Sequence, residues 1–195
     1  MKKIGEIKGI KIYDFAIDCR KAKLAKPGLI ELCEFVTENN TLCLSMVEIG
    51  SFSGVSASIF AQFFPVVYCV DPWCSGYDDK DLGSNPKIYN MKKVEAQFNE
   101  VAKMYKHIFK KKGKSLDIAK DFIDGGIDMV YIDAIHQYKP VKDDIKTWLP
   151  KIVKGGILAG HDYGSKHFPG VKKAVNEMIG KPDKVFSDTS WIKLL

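Results

Sequence analysis

Met46-Val-Glu-Ile-Gly-Ser-Phe-Ser-Gly54 decides how this chain folds. An apolar run over 42–49 ends in a turn carrying Gly50, Ser51, Phe52, Ser53 and Gly54, and a second apolar run over 57–64 follows at once. The pattern reads as a buried strand, a tight glycine turn and a helix opening at or just after Gly54, with Val55 and Ser56 at its start. Glycine accepts positive φ and lets a ligand approach without meeting a Cβ. Glu48 places one carboxylate beside that bare backbone. Such an arrangement suits a nucleoside whose hydroxyls need an acceptor.

Outward from this turn the same alternation repeats. Upstream, Pro27-Gly28 opens a helix with Leu29, Leu32, Cys33 and Val36 on one face, ending over 38–40. Downstream, Pro65 stops the first crossover helix, and Val66-Val-Tyr-Cys-Val70 forms a second strand ending at Asp71-Pro72-Trp73. Residues 74–90 are rich in Gly, Asp, Ser, Asn and Pro, the composition of a long loop; such loops serve as lids or binding elements. A helix over 87–103, a short strand over 107–110 and a helix with Ser115 as N-cap come next. Strands over 127–132 and 156–159 flank a helix over 138–149, and a helix over 170–179 precedes the last two runs, 184–186 and 191–195. Only a hairpin fits between those two, so they pair antiparallel. The expected fold is α/β: a doubly wound, mainly parallel sheet with a terminal antiparallel pair.

Composition bounds the rest. At 195 residues and 46% hydrophobic, the chain is expected to form one domain over 1–195, with an N-terminal arm over 1–26. No apolar run approaches the roughly 20 residues of a membrane helix. Met1-Lys-Lys leads into no apolar signal core, so the expected compartment is the cytoplasm. Five scattered cysteines without CxxC spacing indicate neither a disulfide framework nor a zinc site. The net charge of +6 is carried by lysine, Arg20 being the only arginine. Base readout leans on arginine forks, so nucleic acid is not the expected partner. The cluster Lys110-Lys-Lys-Gly-Lys114 reads as a solvated turn, or else as a contact for an acidic substrate. Nothing sets the oligomeric state, and a homo-oligomer stays open.

In open α/β sheets ligands bind beyond the carboxyl ends of the strands. Glu48, Asp71, Asp133, His136 and Asp162 all fall there. Asp71 lies twenty-one residues after Gly50, placed to accept from both ribose hydroxyls. Hydrogen bonds to a charged group contribute roughly 1.5–3 kcal/mol each. The turn departs from the GxGxxG dinucleotide fingerprint, since Phe52 and Ser53 occupy its later places. A pyrophosphate needs a bare helix N-terminus, whereas an acidic residue beside the turn suits the cationic S-adenosyl-L-methionine.

Four segments carry a closer likeness: Val47-Glu-Ile-Gly-Ser-Phe-Ser-Gly54, Val70-Asp-Pro-Trp73, Tyr131-Ile-Asp-Ala-Ile-His-Gln-Tyr138, and Trp148-Leu-Pro-Lys-Ile-Val-Lys-Gly-Gly-Ile-Leu-Ala-Gly-His-Asp-Tyr163. With this spacing the chain resembles the class I S-adenosylmethionine-dependent methyltransferases, in the small branch related to macrocin-type sugar O-methyltransferases. The resemblance implies a seven-stranded Rossmann-like sheet in the order 3-2-1-4-5-7-6, with strand seven antiparallel. It implies that Gly50 and the adjoining turn hold the methionine part, Asp71 the ribose, and Trp73 and Ser115 the adenine. It also puts an acidic residue at Asp133 and a catalytic histidine at His136, both among the cofactor contacts as well, and implies a third acidic metal ligand that is not placed in this sequence.

The chemistry of those residues agrees. Neighbouring strands lie about 4.8 Å apart, so Asp133 and Asp162 at adjacent strand ends can converge. Two hard carboxylates with waters form a fitting Mg²⁺ shell, which lowers the pKa of a bound hydroxyl. His136, with an ordinary pKa near 6.5, is suited to take that proton. His161 is the alternative histidine, and Asp162 could instead bond Ser165. Methyl transfer to a hydroxyl of a small-molecule acceptor, such as a sugar, is the leading expectation. An NAD-dependent oxidoreductase shares Asp71 but not the glycine fingerprint, and a non-catalytic binding module would not need Asp133 with Asp162.

Overall fold

The computed structural model describes residues 1–39, 43–76, 83 and 85–195. The expected helix end at Asn40, the expected strand start at Leu42, and residues 77–82 and 84 of the expected loop lie outside them. Nine strands and six α-helices occur among the described residues. β1 (Lys3–Ile7) and β2 (Ile10–Tyr13) pair as a small antiparallel hairpin, structure that the weak patterning of the arm did not reveal. The main sheet contains β3 (Ser45–Ile49), β4 (Val66–Asp71), β5 (Ile108–Lys112), β6 (Ile127–Ile132), β7 (Ile152–Gly160), β8 (Lys184–Val185) and β9 (Trp191–Leu194). Its order is β5-β4-β3-β6-β7-β9-β8. Counted from β3, that is 3-2-1-4-5-7-6. Pairings from β5 across to β7 are parallel, and β9 is antiparallel to both β7 and β8.

The long apolar runs follow from burial on both faces of the sheet. Successive side chains on a strand alternate faces. Met46, Tyr131 and Ile157 therefore join one core with α1 (Ala25–Glu38), α2 (Val55–Phe60) and α3 (Met91–Met104). Val47, Val130 and Leu158 join the other, with α5 (Tyr138–Trp148) and α6 (Pro169–Ile179). A short α4 (Ser115–Ile118) lies between β5 and β6 in the chain. No helix among the described residues is long and apolar enough to cross a membrane.

Several local readings differ from the sequence expectation. α3 starts at Met91 rather than residue 87, because Asn90 caps it by accepting from the amides of Lys92 and Lys93. Ser115 is the first residue of α4 rather than its cap; its hydroxyl accepts from the Trp148 indole at 2.8 Å. The lysine cluster is no solvated turn, since Lys110, Lys111 and Lys112 lie in edge strand β5, where Lys110 and Lys112 both pair with Glu95. Lysines on an edge discourage pairing with a further strand.

The ladder runs on past the strand ends and aligns the loops there. Gly50 N donates to Val70 O, Asp133 N to Ile49 O and His161 N to Ile132 O, at 2.8, 2.9 and 3.0 Å. The residues following β3, β6 and β7 are thereby held side by side at one rim.

Candidate functional site

That rim opens into a cavity of about 740 Å³, within the range of small-molecule and cofactor sites. Of the residues singled out in the sequence, Gly50, Phe52, Ser56, Asp71, Pro72, Ser115, Asp133, His136 and Asp162 line it. Glu48, Ser51, Gly54, Val55 and Trp73 do not. Trp73 is the clearest correction: only 4% exposed, it packs on Phe98, and its indole donates to Phe52 O. An aromatic on a polar loop reads as a stacking platform, but the Trp73 ring lies in the core against Phe98.

Asp71 is fixed by two amides, accepting from Phe52 N at 2.9 Å and Trp73 N at 2.7 Å. Strand-end aspartate and glycine turn are thus one unit, as the spacing between them suggested. Phe52, Trp73 and Asp162 all have positive φ. Such backbone strain in non-glycine residues concentrates at functional sites.

Glu48 is fully buried on the face of β3 that carries Met46. Neither carboxylate oxygen has a well-formed hydrogen bond, and burial pushes its pKa up to about 7, softened by the nearby Ser56 and Ser51 hydroxyls. Asp144, on α5 at the cavity wall, is likewise pushed up to about 7 by burial. Acids raised in the folded state bind more protons folded than unfolded between pH 4 and 7, roughly their ordinary and raised values. Stability should therefore be greatest on the acid side of that window and fall as pH rises through it. Thermal melts of the apo protein from pH 5 to pH 8, values chosen to span the titration, should show a falling midpoint. Glu48→Gln should flatten that fall, and an equally steep fall in the variant would remove Glu48 as its source.

The cavity wall also holds a tight cluster. One ligating atom from each of Asp133, His136 and Asp162 lies within 4.8 Å of the others. His136 Nε2 is 3.4 Å from Asp133 Oδ1 and 3.1 Å from Asp162 Oδ2, and its ring stacks on Phe168 at 4.3 Å. His161 Nδ1 is 3.0 Å from Asp162 Oδ2. The two carboxylates converge, and the Asp162 side chain turns to the histidines rather than to Ser165. Only its backbone oxygen meets Ser165 N, at 3.2 Å.

Charge follows from this geometry. Burial disfavours a charged imidazole, but hydrogen bonds and proximity to Asp133 and Asp162 raise the His136 pKa to about 10. The same contacts, with His161, hold Asp162 well below the usual carboxylate range despite its burial. His136 thus carries its proton at neutral pH, whereas its ordinary pKa suggested a ready base.

Sequence reasoning missed a second layer. Arg20, 4% exposed, donates Nη2 to Asp133 Oδ2 at 2.8 Å and to the Tyr131 hydroxyl at 3.1 Å. Its Nη1 reaches Asp188 Oδ2 at 3.2 Å. Ser190 joins Tyr131 to Asp188 through its hydroxyl, at 2.9 and 3.0 Å. The available signal was compositional: one arginine among 30 basic residues suggests a place where a lysine would not serve.

A seven-stranded sheet in this order, with a cavity over the carboxyl ends of its central strands, defines a class I S-adenosylmethionine-dependent methyltransferase. The chain belongs to the methyltransferase-domain family that matches its residues 47–163. A relative from Acanthamoeba polyphaga mimivirus, an uncharacterised protein, is 32% identical over 143 residues, 70% of this chain. The chain spans 59% of that relative's length. Among solved structures, the apo TDP-rhamnose 3'-O-methyltransferase CalS11 of calicheamicin biosynthesis has a TM-score of 0.65 at 13% identity, covering 89% of this chain and 81% of its own. The O-methyltransferase NovP has a TM-score of 0.60 at 16% identity, covering 86% and 78%. At these identities the likeness is one of fold.

Proposed function

We propose that this methyltransferase transfers the methyl group of S-adenosyl-L-methionine to a hydroxyl of a small molecule, a sugar or similar polyol, in the cytoplasm. The carrying observation is that Asp133, His136 and Asp162 converge on the wall of the cavity that the Gly50 turn and Asp71 also line. Gly50, Phe52 and Ser56 would receive the methionine part, Asp71 the ribose hydroxyls, and Ser115 the adenine end. Glu48 would act on the cofactor's positive charge from behind the turn rather than by contact. The acceptor would lie near Cys19 and Arg20 of the N-terminal arm and Cys74 and Tyr89, which also line the cavity. O-methyltransferases among the structural neighbours, one of them acting on TDP-rhamnose by its description, support the acceptor class.

The donors at the cluster fit a divalent cation, with Asp133 and Asp162 as its carboxylate ligands and His136 beside them as the base. Two carboxylates with water suit a hard cation such as Mg²⁺ or Mn²⁺. When bound, the cation would supply the positive charge that lowers the pKa of an acceptor hydroxyl. Asp133 and Asp162 would orient the acceptor oxygen toward the sulfonium methyl; holding reactants in line is a large part of such catalysis. With other positive charge between the carboxylates, His136 would release its proton and become able to take one from the hydroxyl.

Calorimetry tests the cofactor. S-adenosylhomocysteine should bind stoichiometrically and NAD should not. Binding of NAD alone would transfer the cavity to the oxidoreductase reading. Binding of the homocysteine product with no mass gain in any acceptor, across a broad hydroxyl-compound screen, would favour the non-catalytic module.

A further inference from the structure

Arg20 is the buried cation of the cluster and comes from the segment before α1. It touches three elements at once: Asp133 after β6, Tyr131 within β6, and Asp188 in the turn between β8 and β9. Asp188 reaches this position because Gly28 has no side chain; a Cβ there would lie 2.5 Å from the Asp188 side chain. His161 Nε2 lies 3.7 Å from Asp188 Oδ2, so three carboxylates crowd this corner. Removing water from like charges so close together is costly without a fixed opposite charge.

We propose that Arg20 is the resident counter-ion of this site. It is a positioning residue that keeps Asp133 and Asp188 together when no cation lies between Asp133 and Asp162, and it weakens the hold on such a cation. The proposal rests on the metal-assisted reading above. Two features carry it. Arg20 occupies Asp133 Oδ2 and leaves Oδ1 as the oxygen near His136 and His161, at 3.4 and 3.8 Å. A guanidinium stays charged at every accessible pH, so its opposition to a second cation is permanent. The cluster then tolerates an exchangeable ion rather than a tightly held one. A lysine would keep the charge but could not bridge two carboxylates and a phenol with one planar fork.

The charge role and a purely architectural role predict opposite signs. Mn²⁺ is the probe, with binding to the whole chain read from the free-ion EPR signal. Arg20→Gln should bind Mn²⁺ at least about tenfold more tightly than wild type, the direction set by removing a like charge from a low-dielectric site. Arg20→Lys, with its charge kept, should stay within about threefold of wild type by the same argument. S-adenosylhomocysteine affinity should change little in either variant. If Arg20→Gln alone does not fold, the comparison moves to an Asp188→Asn background, which removes the stranded buried carboxylate: there Arg20→Gln should bind Mn²⁺ more tightly than Asp188→Asn alone, the two differing only at residue 20. Weaker or unchanged Mn²⁺ binding in the folded Gln variant, single or double, overturns the counter-ion role and leaves the metal reading standing. If wild type binds S-adenosylhomocysteine yet takes up no Mn²⁺, the metal reading fails and takes this proposal with it.

Discussion

Asp162→Asn should bind S-adenosylhomocysteine nearly as well as wild type and lose methyl transfer by about 10²–10⁴-fold, the usual contribution of a group that handles a proton or orients its partner. Asparagine is the substitution of choice because Asp162 has φ of 61°, a conformation that Asn tolerates and Ala does not. The amide keeps the shape and removes the charge. Asp162 Oδ2 is the common partner of His136 at 3.1 Å and His161 at 3.0 Å. Neutralising it both weakens the cation site and loosens both rings. Asp71 and the Gly50 turn lie with other strand ends, so cofactor affinity has no reason to fall far. The measurement pairs calorimetry with detection of a one-methylene mass gain in an acceptor found by screening. Wild-type turnover in the variant would remove Asp162 from the chemistry.

The second large effect is structural. Gly50→Ala should destabilise the protein by roughly 3 kcal/mol or more, combining left-handed backbone strain with a backbone collision. Gly50 has φ of 94°, and an added Cβ would meet Asp133 carbonyl carbon at 2.7 Å and Ala134 Cα at 2.8 Å, with the Asp133 carbonyl oxygen closer still. Backbone cannot rotate aside as a side chain can. Relief would push β3 from β6 and move Asp133, so cofactor binding and the acidic cluster should suffer together. Gly155 is the control: it has φ of 78° and open space around its absent Cβ. Gly155→Ala should therefore cost only the left-handed penalty, on the order of 1–2 kcal/mol. Denaturant unfolding of the two variants separates strain from collision. Equal losses would mean that the contact between Gly50 and Asp133 contributes nothing.

Much of the candidate site was legible because its parts lie at strand ends, and strand ends can be read from where apolar runs stop. Gly50, Asp71, Asp133 and Asp162 were all visible in that way. Trp73 was misread because local polarity does not report which way a ring turns; its packing partner Phe98 and the Phe52 carbonyl that accepts from its indole are distant in sequence. Ser115 was placed at a helix start correctly but given a capping role, since its true partner, Trp148, is distant in sequence. His136 had the right position and an unforeseen charge state. Arg20 was noticed only as a composition oddity, because its partners at 131, 133 and 188 are far along the chain.

Local patterning by itself determined the order and type of the elements of the main sheet, the glycine turn and the rim where chemistry gathers. These depend on periodicity and backbone permission, which operate between near neighbours. Tertiary structure alone decided which polar groups meet, which are desolvated and which proton His136 keeps. Those depend on distances of a few ångströms between residues up to 168 positions apart, and electrostatic energy in a buried site is set by such distances rather than by sequence order.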